Sequence, residues 1–450
     1  MEPLKLSEII TAVNGTCQQT CDVDITEIST DSRSVPKASL FVALKGERFD
    51  GNKFVDEAFA KGASACVADK NSPYVTKDVK NLILVENTEK ALLDIAHLYR
   101  QKLSVKLVGV TGSVGKTTTK EMIYAVLSER YKTLKTQGNL NNQIGLPKTL
   151  LELDKSYETA VIEMGMSDLG EIHALSMCAT PDISVITTIG VSHLENLGTR
   201  ENILKAKLEI VDGMKQNGPL VINVDNDMLS TVKLDRPIIT YGIENKADYM
   251  ATDIVEDGEK TNFSINGVKA EIPCIGMHNV YNAVAAFAIA KHLDMTDEEI
   301  VNGLKNYTPS GMRQRITKVG DTTIVADCYN ASPDSMRAAL KTLSSMKTNG
   351  KKIAVLGDML ELGTVSKESH FEVGKLCAEL GVDELVCLGE EAKEYKKGSE
   401  SKNGKATWFD DREKLAEYLT KTAQKDDVLW FKASRGMKFE EVIEKYSKGK

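Results

Sequence analysis

The sequence predicts an α/β protein with parallel sheets that is divided into three domains. Apolar runs of strand length alternate with helix-length segments along most of the 450 residues, which is typical of parallel sheets covered by helices. A chain of this length exceeds one ordinary core. Two stretches interrupt the alternation, near residues 101–104 and 308–311. We therefore expect domains at residues 1–102, 103–310 and 311–450.

The three predicted domains differ in fold. The first is a small α/β unit. The second is a central parallel sheet of the P-loop ATPase type, with strands at residues 105–110, 159–164, 183–188 and 220–224. The third repeats the doubly wound, Rossmann-like form, with strands at residues 352–357, 384–389 and 428–432. A helix is predicted at residues 200–214 in the central domain.

The composition predicts a globular protein and argues against a membrane protein or a nucleic-acid-binding protein. Apolar residues make up 42% and charged residues 27% of the chain, as in globular proteins. No stretch reaches the roughly 18 apolar residues of a membrane span, and residues 1–10 lack the apolar core of an export signal. Because the net charge is −8, a nucleic-acid backbone is not the expected partner. The eight cysteines show no CxxC pair, which favours reduced thiols and a cytoplasmic location.

The strongest motif is TGSVGKTT at residues 111–118, which follows an apolar strand and precedes a helix-compatible run. In such a turn, backbone N–H groups and a helix N-terminus converge on a phosphate. Lys116 is expected at the β- and γ-phosphates, and the Thr117 hydroxyl is the natural Mg²⁺ ligand. The loop is a variant, because Val110 stands where the strict pattern has glycine. The predicted phosphate-binding residues are Thr111, Gly112, Ser113, Val114, Gly115, Lys116, Thr117 and Thr118.

Three downstream residues extend this prediction. Glu163 ends an apolar strand and His193 follows another, so both are expected at the sheet edge where the loop opens. Glu163 is therefore a candidate Mg²⁺ ligand, with a surface carboxylate as the alternative. His193 alone is more often an ordinary core or surface histidine. Lys205 and Lys207 lie on the predicted helix, where their spacing by itself favours solvated charges.

Nine motifs in order along the chain give a closer identification. They are TGSVGKTT at 111–118, GNLNNQIGLP at 138–147, EMG at 163–165, HLE at 193–195, AKLEI at 206–210, HNVYN at 278–282, DCYNASPDS at 327–335, GDMLELG at 357–363 and KASRGM at 432–437. Together they resemble the Mur ligase family over nearly the whole chain.

The resemblance implies a set of nucleotide and metal sites. Thr117 and Glu163 hold one Mg²⁺ ion, and His193 helps to hold a second. Lys207 matches a lysine that the family carbamylates with CO₂, which turns a cation into an oxygen-donor anion suited to Mg²⁺. ATP is contacted by His278, Asn279, Asn282, Arg313, Asp327 and Asn330. Arg315 is the alternative to Arg313. The implied catalytic residues are Lys116, Glu163, His193, Lys207 and Arg313.

The resemblance also implies where the other substrates bind. Ser32 and Arg33 belong to a uridine-diphosphate pocket in the first domain. Asn139, Asn141 and Asn142 lie in a loop that meets the substrate near the γ-phosphate, although an asparagine-rich run is also an ordinary turn. The incoming dipeptide is received by a set of residues in the third domain: Asp358, Glu361, Lys432, Ser434 and Arg435.

The activity that the resemblance implies is an ATP-dependent ligation through an acyl-phosphate. D-Alanyl-D-alanine would be joined to UDP-N-acetylmuramoyl tripeptide to complete the cytoplasmic precursor of peptidoglycan. Motifs GDMLELG and DSRS favour this branch over ligases for other amino acids or for folate. Another ligase of the family, a P-loop kinase or ATPase, and a nucleotide-binding regulator are the alternatives. We expect a monomer without nucleic-acid or membrane partners.

Overall fold

The structure is a computed structural model that describes residues 1–46, 49–76, 78–309 and 311–450. The predicted domain boundary at residue 310 lies outside these residues. The chain forms two compact units. The first consists of Met1–Thr111, Tyr131–Val185 and Ala206–Leu220, and the second of Gly112–Arg130, Ile186–Lys205 and Val221–Lys450. These units are not the three predicted domains, whose limits stay a prediction.

The strands lie throughout the chain. They are β1 Leu4–Lys5, β2 Asp24–Ile25, β3 Glu27–Ser29, β4 Ser39–Val42, β5 Lys45–Gly46, β6 Phe49–Asp50, β7 Ala65–Asp69, β8 Leu82–Val85, β9 Lys106–Thr111, β10 Thr133–Lys135, β11 Thr159–Glu163, β12 Ile183–Ile186, β13 Leu220–Asn223, β14 Ile238–Gly242, β15 Tyr249–Asp257, β16 Lys260–Ile265, β17 Val268–Ile272, β18 Arg315–Val319, β19 Thr322–Ala326, β20 Lys352–Gly357, β21 Glu384–Leu388, β22 Ala406–Phe409 and β23 Val428–Lys432.

Helices separate most of these strands. They are α1 Leu6–Ala12, α2 Val55–Lys61, α3 Thr88–Gln101, α4 Lys116–Leu127, α5 Gly145–Leu151, α6 Glu171–Ala179, α7 Leu194–Leu197, α8 Arg200–Leu208, α9 Met277–His292, α10 Asp297–Lys305, α11 Pro333–Ser345, α12 Ser366–Glu379, α13 Ala392–Glu400, α14 Arg412–Thr422 and α15 Phe439–Gly449. Short 3-10 helices lie at Gly51–Phe54, Glu209–Val211, Leu229–Thr231, Gly363–Val365 and Arg435–Met437. None of the helices in the described ranges is long and apolar enough to cross a membrane.

The first unit contains two groups of parallel strands. Strands β3, β4, β7 and β8 pair in that order, all in parallel. β4 and β8 are buried along their whole length, as expected for parallel strands covered on both faces. The second group has the order β10, β11, β9 and β12 up to Val185.

The second unit contains a doubly wound sheet of order β18, β19, β23, β20, β21 and β22. Only β18 runs antiparallel to its neighbour. Buried side chains of α11, α12 and α13 belong to one core cluster, and those of α14 and α15 belong to another. Helices thus cover both faces, which confirms the predicted Rossmann-like form. Strands β13 to β17 follow one another in a further sheet segment, in which β15 and β16 form an antiparallel hairpin.

The predicted helix at residues 200–214 is wrong in its length, because α8 ends at Leu208 and a 3-10 helix follows. Ser176 explains the change. Its hydroxyl donates to the carbonyl of Ile210 at 2.5 Å and accepts from the N–H of Gly213 at 3.0 Å. A side chain that takes backbone hydrogen-bonding groups in this way competes with the helix. The contact links residues far apart in sequence, so helical periodicity could not reveal it.

Candidate active site

The predicted phosphate-binding loop has the backbone shape that such a loop needs. Gly112 has φ of 146° and Gly115 has φ of 90°, in the region that favours glycine. A Cβ on Gly112 would lie 2.0 Å from Thr187 Oγ1, so this glycine is also required by close packing. Helix α4 begins directly after Gly115, and Lys116 Nζ folds over the loop to the Gly112 carbonyl at 2.8 Å. The N-terminus of α4 and the Lys116 ammonium therefore both lie at the predicted phosphate site.

A pair of threonines after β12 supports the loop. The N–H of Ser113 donates to the Thr188 carbonyl at 2.8 Å, and the N–H of Val114 donates to Thr188 Oγ1 at 3.1 Å. Thr187 Oγ1 donates to the Val114 carbonyl at 2.5 Å. The hydroxyl of Ser113 in turn accepts from the N–H of Gly190 at 3.0 Å. Sequence reasoning missed both threonines, because nothing in their local pattern marks them as partners of the loop.

Val110, the departure from the strict motif, lies within β9 and is fully buried. Its carbonyl accepts from the N–H of Met164 at 2.8 Å. A strand residue has no need of glycine's conformational range. The substitution therefore leaves the turn itself, from Gly112 onward, unaffected.

The first turns of α9 lie against the phosphate-binding loop. Asn282 Oδ1 accepts from Thr119 Oγ1 at 2.9 Å and would be 2.9 Å from a Cβ on Gly115. Asn279 Nδ2 donates to the Ile275 carbonyl at 2.7 Å. The structure thus brings Asn282 close to the loop and fixes the orientation of both asparagine side chains.

Gln314, which the motifs did not identify, completes this group. Its Oε1 accepts from Asn279 at 2.6 Å, and its Nε2 donates to His278 Nε2 at 2.8 Å. A histidine that accepts at Nε2 is neutral. Burial lowers the pKa of His278 to about 4, so the ring remains neutral at physiological pH. Gln314 has a left-handed backbone with φ of 53°, a conformation that is often found at functional sites.

His193 and Glu361 approach each other in the second unit. His193 Nδ1 lies 3.9 Å from Glu361 Oε2. Both residues have left-handed backbones, with φ of 64° and 65°. The Glu361 side chain is 77% exposed, so its carboxylate remains open to a ligand.

A buried ion pair ties Lys432 to the loop after β19. Lys432 Nζ donates to Asp327 Oδ2 at 2.7 Å and to the Asn330 carbonyl at 3.3 Å. The lysine side chain is only 4% exposed. In the same region the guanidinium of Arg313 stacks over the Tyr329 ring at 4.1 Å, whereas Arg315 is an exposed residue of β18. A stacked guanidinium is held in one plane, which favours Arg313 over Arg315 for a positioned role.

The remaining predicted dipeptide residues connect the loops that follow β20, β21 and β23. The Asp358 carboxylate accepts from the N–H groups of Glu390 at 3.1 Å and Ala392 at 2.8 Å. Burial raises the pKa of Asp358. Ser434 Oγ accepts from the N–H of Leu360 at 2.9 Å, and exposed Arg435 pairs with Glu440 at 2.7 Å. These contacts order the loops, and binding of a dipeptide there stays a prediction.

In the first unit, the structure brings together Glu163 and Asn141. Asn141 Nδ2 donates to Glu163 Oε1 at 2.8 Å, and the N–H of Glu163 donates to Thr136 Oγ1 at 3.0 Å. Glu163 is 2% exposed, so the alternative of a plain surface carboxylate is wrong. The N–H of Asn141 donates to the Asn139 carbonyl at 2.7 Å, which closes the asparagine-rich turn.

Asn142 lies in the same loop but has a local role in this structure. Its Oδ1 accepts from the N–H groups of Ile144 at 3.2 Å and Gly145 at 2.8 Å, at the start of α5. This is the hydrogen bonding of a helix cap. The role of Asn142 in substrate binding stays a prediction.

Lys207 has no exposed surface, whereas Lys205 of the same helix is exposed. The alternative of a solvated charge is therefore wrong for Lys207 and correct for Lys205. A buried ammonium carries a large desolvation cost. The carbamylation of Lys207 stays a prediction.

The predicted uridine-diphosphate residues lie in the turn after β3. Ser32 is 7% exposed and its carbonyl accepts from Lys61 Nζ at 2.8 Å. Arg33 is exposed and donates to both Asp31 oxygens, at 2.9 Å from Nε and 2.7 Å from Nη2. The guanidinium holds the pKa of Asp31 well below its usual range. Binding of a nucleotide by this turn stays a prediction.

Comparison with known proteins agrees with these features. Residues 24–100 match the description "Mur ligase family, catalytic domain", residues 110–290 match "Mur ligase middle domain", and residues 312–435 match "Mur ligase, glutamate ligase domain".

Two relatives of similar sequence carry the same name. The UDP-N-acetylmuramoyl-tripeptide–D-alanyl-D-alanine ligase of Bacillus subtilis is 41% identical, with 92% of each chain covered. The Escherichia coli protein of the same name is 34% identical, with 98% of each chain covered.

Solved structures of MurF share the fold. The Acinetobacter baumannii protein has a TM-score of 0.91 at 31% identity, covering 100% of this chain and 99% of that one. The Thermotoga maritima protein, solved with ADP, has a TM-score of 0.86 at 33% identity, covering 94% and 97%. The predicted α/β fold is thereby confirmed, and the chain belongs to the Mur ligase family.

Proposed function

We propose that this protein is an ATP-dependent, ADP-forming ligase that joins D-alanyl-D-alanine to UDP-N-acetylmuramoyl tripeptide. The observation that carries the proposal is the loop from Gly112 to Thr118, with Asn282 of α9 packed beside it. Relatives over almost the whole chain bear the name of that ligase. The product is the UDP-muramoyl pentapeptide, a peptidoglycan precursor that supports cell shape and division. We place the reaction in the cytoplasm, where ATP is available.

ATP binds with its phosphates on the loop and on Lys116. The N-terminal turns of α4 supply backbone N–H groups, and Lys116 neutralises charge on the β- and γ-phosphates. His278, Asn279 and Asn282 form the neighbouring surface for the base and sugar. A neutral His278 suits that role, because it offers directed hydrogen bonds without adding charge. Arg313, Asp327 and Asn330 contact the nucleotide from the C-terminal region.

The residues present fit Mg²⁺. The ion prefers hard oxygen ligands and usually takes only one or two carboxylates, with phosphates and water as the others. Glu163 offers a carboxylate that Asn141 orients through one oxygen, and Thr117 offers a hydroxyl. His193 is a nitrogen donor for a second ion. Bound Mg²⁺ would neutralise charge that develops on the transferring phosphoryl group and the acyl oxygen.

The burial of Lys207 supports its carbamylation. The Nζ ammonium first loses a proton, and addition of CO₂ to the neutral amine then forms an N–C bond and releases a second proton, so that an anion replaces a buried cation. The carbamate would offer an oxygen ligand to the second Mg²⁺. This modification removes the conflict between a lysine cation and a metal cation in one site.

The reaction takes place in two steps. A terminal carboxylate oxygen of the tripeptide, held by Asn139, Asn141 and Asn142, attacks the γ-phosphorus while ADP leaves in line. The amino nitrogen of D-alanyl-D-alanine then attacks the carbonyl carbon of the acyl-phosphate, phosphate leaves, and the amine loses a proton. Lys116 and Lys432 supply positive charge that stabilises the developing negative charge. Asp358, Glu361, Ser434 and Arg435 receive the dipeptide, and Ser32 and Arg33 hold the uridine diphosphate.

The test is phosphate release by the purified protein with ATP, Mg²⁺ and UDP-muramoyl tripeptide, with and without D-alanyl-D-alanine. We expect release to require both partners, and mass spectrometry to find the pentapeptide. Release with another amino acid only would assign another ligase of the family. Release without any acceptor amine would assign an ATPase, and a phosphorylated small molecule would assign a kinase.

A further inference from the structure

The motif at residues 327–335 contains a carboxylate that the proposed mechanism does not use. Asp334 lies in the first turn of α11. Its Oδ2 accepts from the N–H of Val191 at 3.2 Å. The carboxylate therefore leaves its own helix and binds the backbone of the segment that leads to His193.

The contact between Asp334 and the 190–191 backbone leaves no room for a side chain at position 190. A Cβ built on Gly190 would lie 2.1 Å from Asp334 Oδ2 and 3.1 Å from its Cγ. The next nearest atom is Ser113 Cβ at 3.5 Å, an ordinary contact distance. Asp334 is thus the side chain that excludes a larger residue at position 190. The N–H of Gly190 also donates to the Ser113 hydroxyl of the phosphate-binding loop at 3.0 Å.

The other end of α11 meets the start of the α9 segment. Ser345 Oγ donates to Glu256 Oε2 at 3.2 Å, and Glu256 Oε1 accepts from the N–H of Gly276 at 2.8 Å. A Cβ on Gly276 would lie 2.7 Å from Thr342 Oγ1. Helix α11 is therefore attached at its first turn to the segment before His193 and at its last turn to the segment before His278.

We infer that Asp334 is a positioning residue for the ligation, which holds the Gly190–Val191 backbone so that His193 and the phosphate-binding loop are aligned with the C-terminal region. This inference rests on the proposed function. The physical basis is a charge-assisted hydrogen bond, which is stronger and more directional than a neutral one. The Val191 N–H is fixed to a helix of the C-terminal region, and Ser113 is fixed to the adjacent Gly190. Loss of the carboxylate frees this backbone without removing any group that contacts a substrate.

The first test compares Asp334→Ala with Asp334→Asn in the pentapeptide assay. We expect Asp334→Ala to lower kcat about tenfold, as for a lost alignment contact. Asp334→Asn keeps an acceptor oxygen and should recover most of the loss. Calorimetric titration with ADP counts folded, nucleotide-binding molecules, and its stoichiometry should not change. Asp297→Ala is the matched control, because Asp297 is also a first-turn carboxylate, on α10, and pairs with Lys291 at 3.0 Å.

The second test is a double-mutant cycle with Gly190→Ala. On its own this change places a methyl group against the Asp334 carboxylate and should lower kcat strongly. In the Asp334→Ala background the space is free, so Gly190→Ala should add less than about a twofold loss. Additive losses, or a kcat for Asp334→Ala equal to that of Asp297→Ala, would overturn the inference. A wild-type protein that makes no pentapeptide would instead overturn the proposed function.

Discussion

The side-chain amide of Asn141 donates a 2.8 Å hydrogen bond to the buried carboxylate of Glu163. One oxygen of Glu163 is thereby committed to the protein, and the carboxylate plane is fixed. A partner of this kind orients a metal ligand without touching the metal. This hydrogen bond connects the asparagine-rich loop to the EMG motif, although the two are separate in sequence.

We therefore expect Asn141→Ala to raise the Mg²⁺ concentration for half-maximal ligation by about 10- to 100-fold, the usual effect of losing an orienting partner. The measurement is a Mg²⁺ titration of the pentapeptide assay. Asn306→Ala is the matched control, since it removes an exposed hydrogen bond of 2.9 Å from Asn306 to Glu129. Equal Mg²⁺ requirements for the two variants would remove the role of Asn141.

The contrast between Lys207 and Lys205 gives a second prediction. Only Lys207 is buried, so we expect ¹³C-labelled bicarbonate to yield a carbamate signal that Lys207→Ala abolishes and Lys205→Ala retains. Ligation should be lost in Lys207→Ala, and excess bicarbonate should not restore it, because the attachment nitrogen is missing. Near-normal turnover of Lys207→Ala would remove the proposed carbamate.

The bounds of strands could be predicted from the sequence where the strands are fully buried. β20 and β23 have the predicted bounds, because parallel strands buried on both faces must be apolar along their length. The length of α8 could not be predicted from the sequence. Ser176, which lies in α6, forms hydrogen bonds with the backbone of Ile210 and Gly213 just after α8. A local sequence pattern shows helical periodicity, whereas hydrogen bonds between residues far apart in sequence are known only from the folded structure.

The same distinction holds for the candidate site. The phosphate-binding loop follows from its linear motif, and the structure gives it the required glycine conformations. Gln314 and Thr187 bear no local signal, because each acts through a partner that is remote in sequence. Asp334 lies within a motif, but its contact with Val191 could not be read from that motif. Gln314 lies between Arg313 and Arg315, and a neutral amide between two cations has no pattern that predicts its contacts.

Acid should destabilise the protein through His278. Burial lowers its pKa from the ordinary 6.5 to about 4, so the unfolded chain binds a proton more readily than the folded one. The stabilising effect of the neutral ring is complete above about pH 6.5 and is lost as the pH falls toward about 4. Between about pH 7.5 and about pH 5 the free energy of unfolding should fall by about 2 kcal/mol through this residue.

Denaturant unfolding at the two pH values measures this effect. His278→Gln removes the titrating group and should show a smaller fall than the wild type. His292→Gln, in the last turn of the same helix α9, is the control and should keep the wild-type fall. If all three proteins lose the same free energy, His278 is not the group responsible.

The stacking of Arg313 on Tyr329 separates the two arginines that the motif left open. A guanidinium held 4.1 Å above a ring is already oriented for a phosphate, so less conformational freedom is lost when the nucleotide binds. We expect Arg313→Ala to raise the KM for ATP about tenfold, and Tyr329→Ala to raise it by less than that. Tyr329→Phe keeps the ring and should resemble the wild type. Arg315→Ala is the matched control, because Arg315 is exposed on β18; a larger KM effect from Arg315→Ala than from Arg313→Ala would assign the phosphate contact to Arg315.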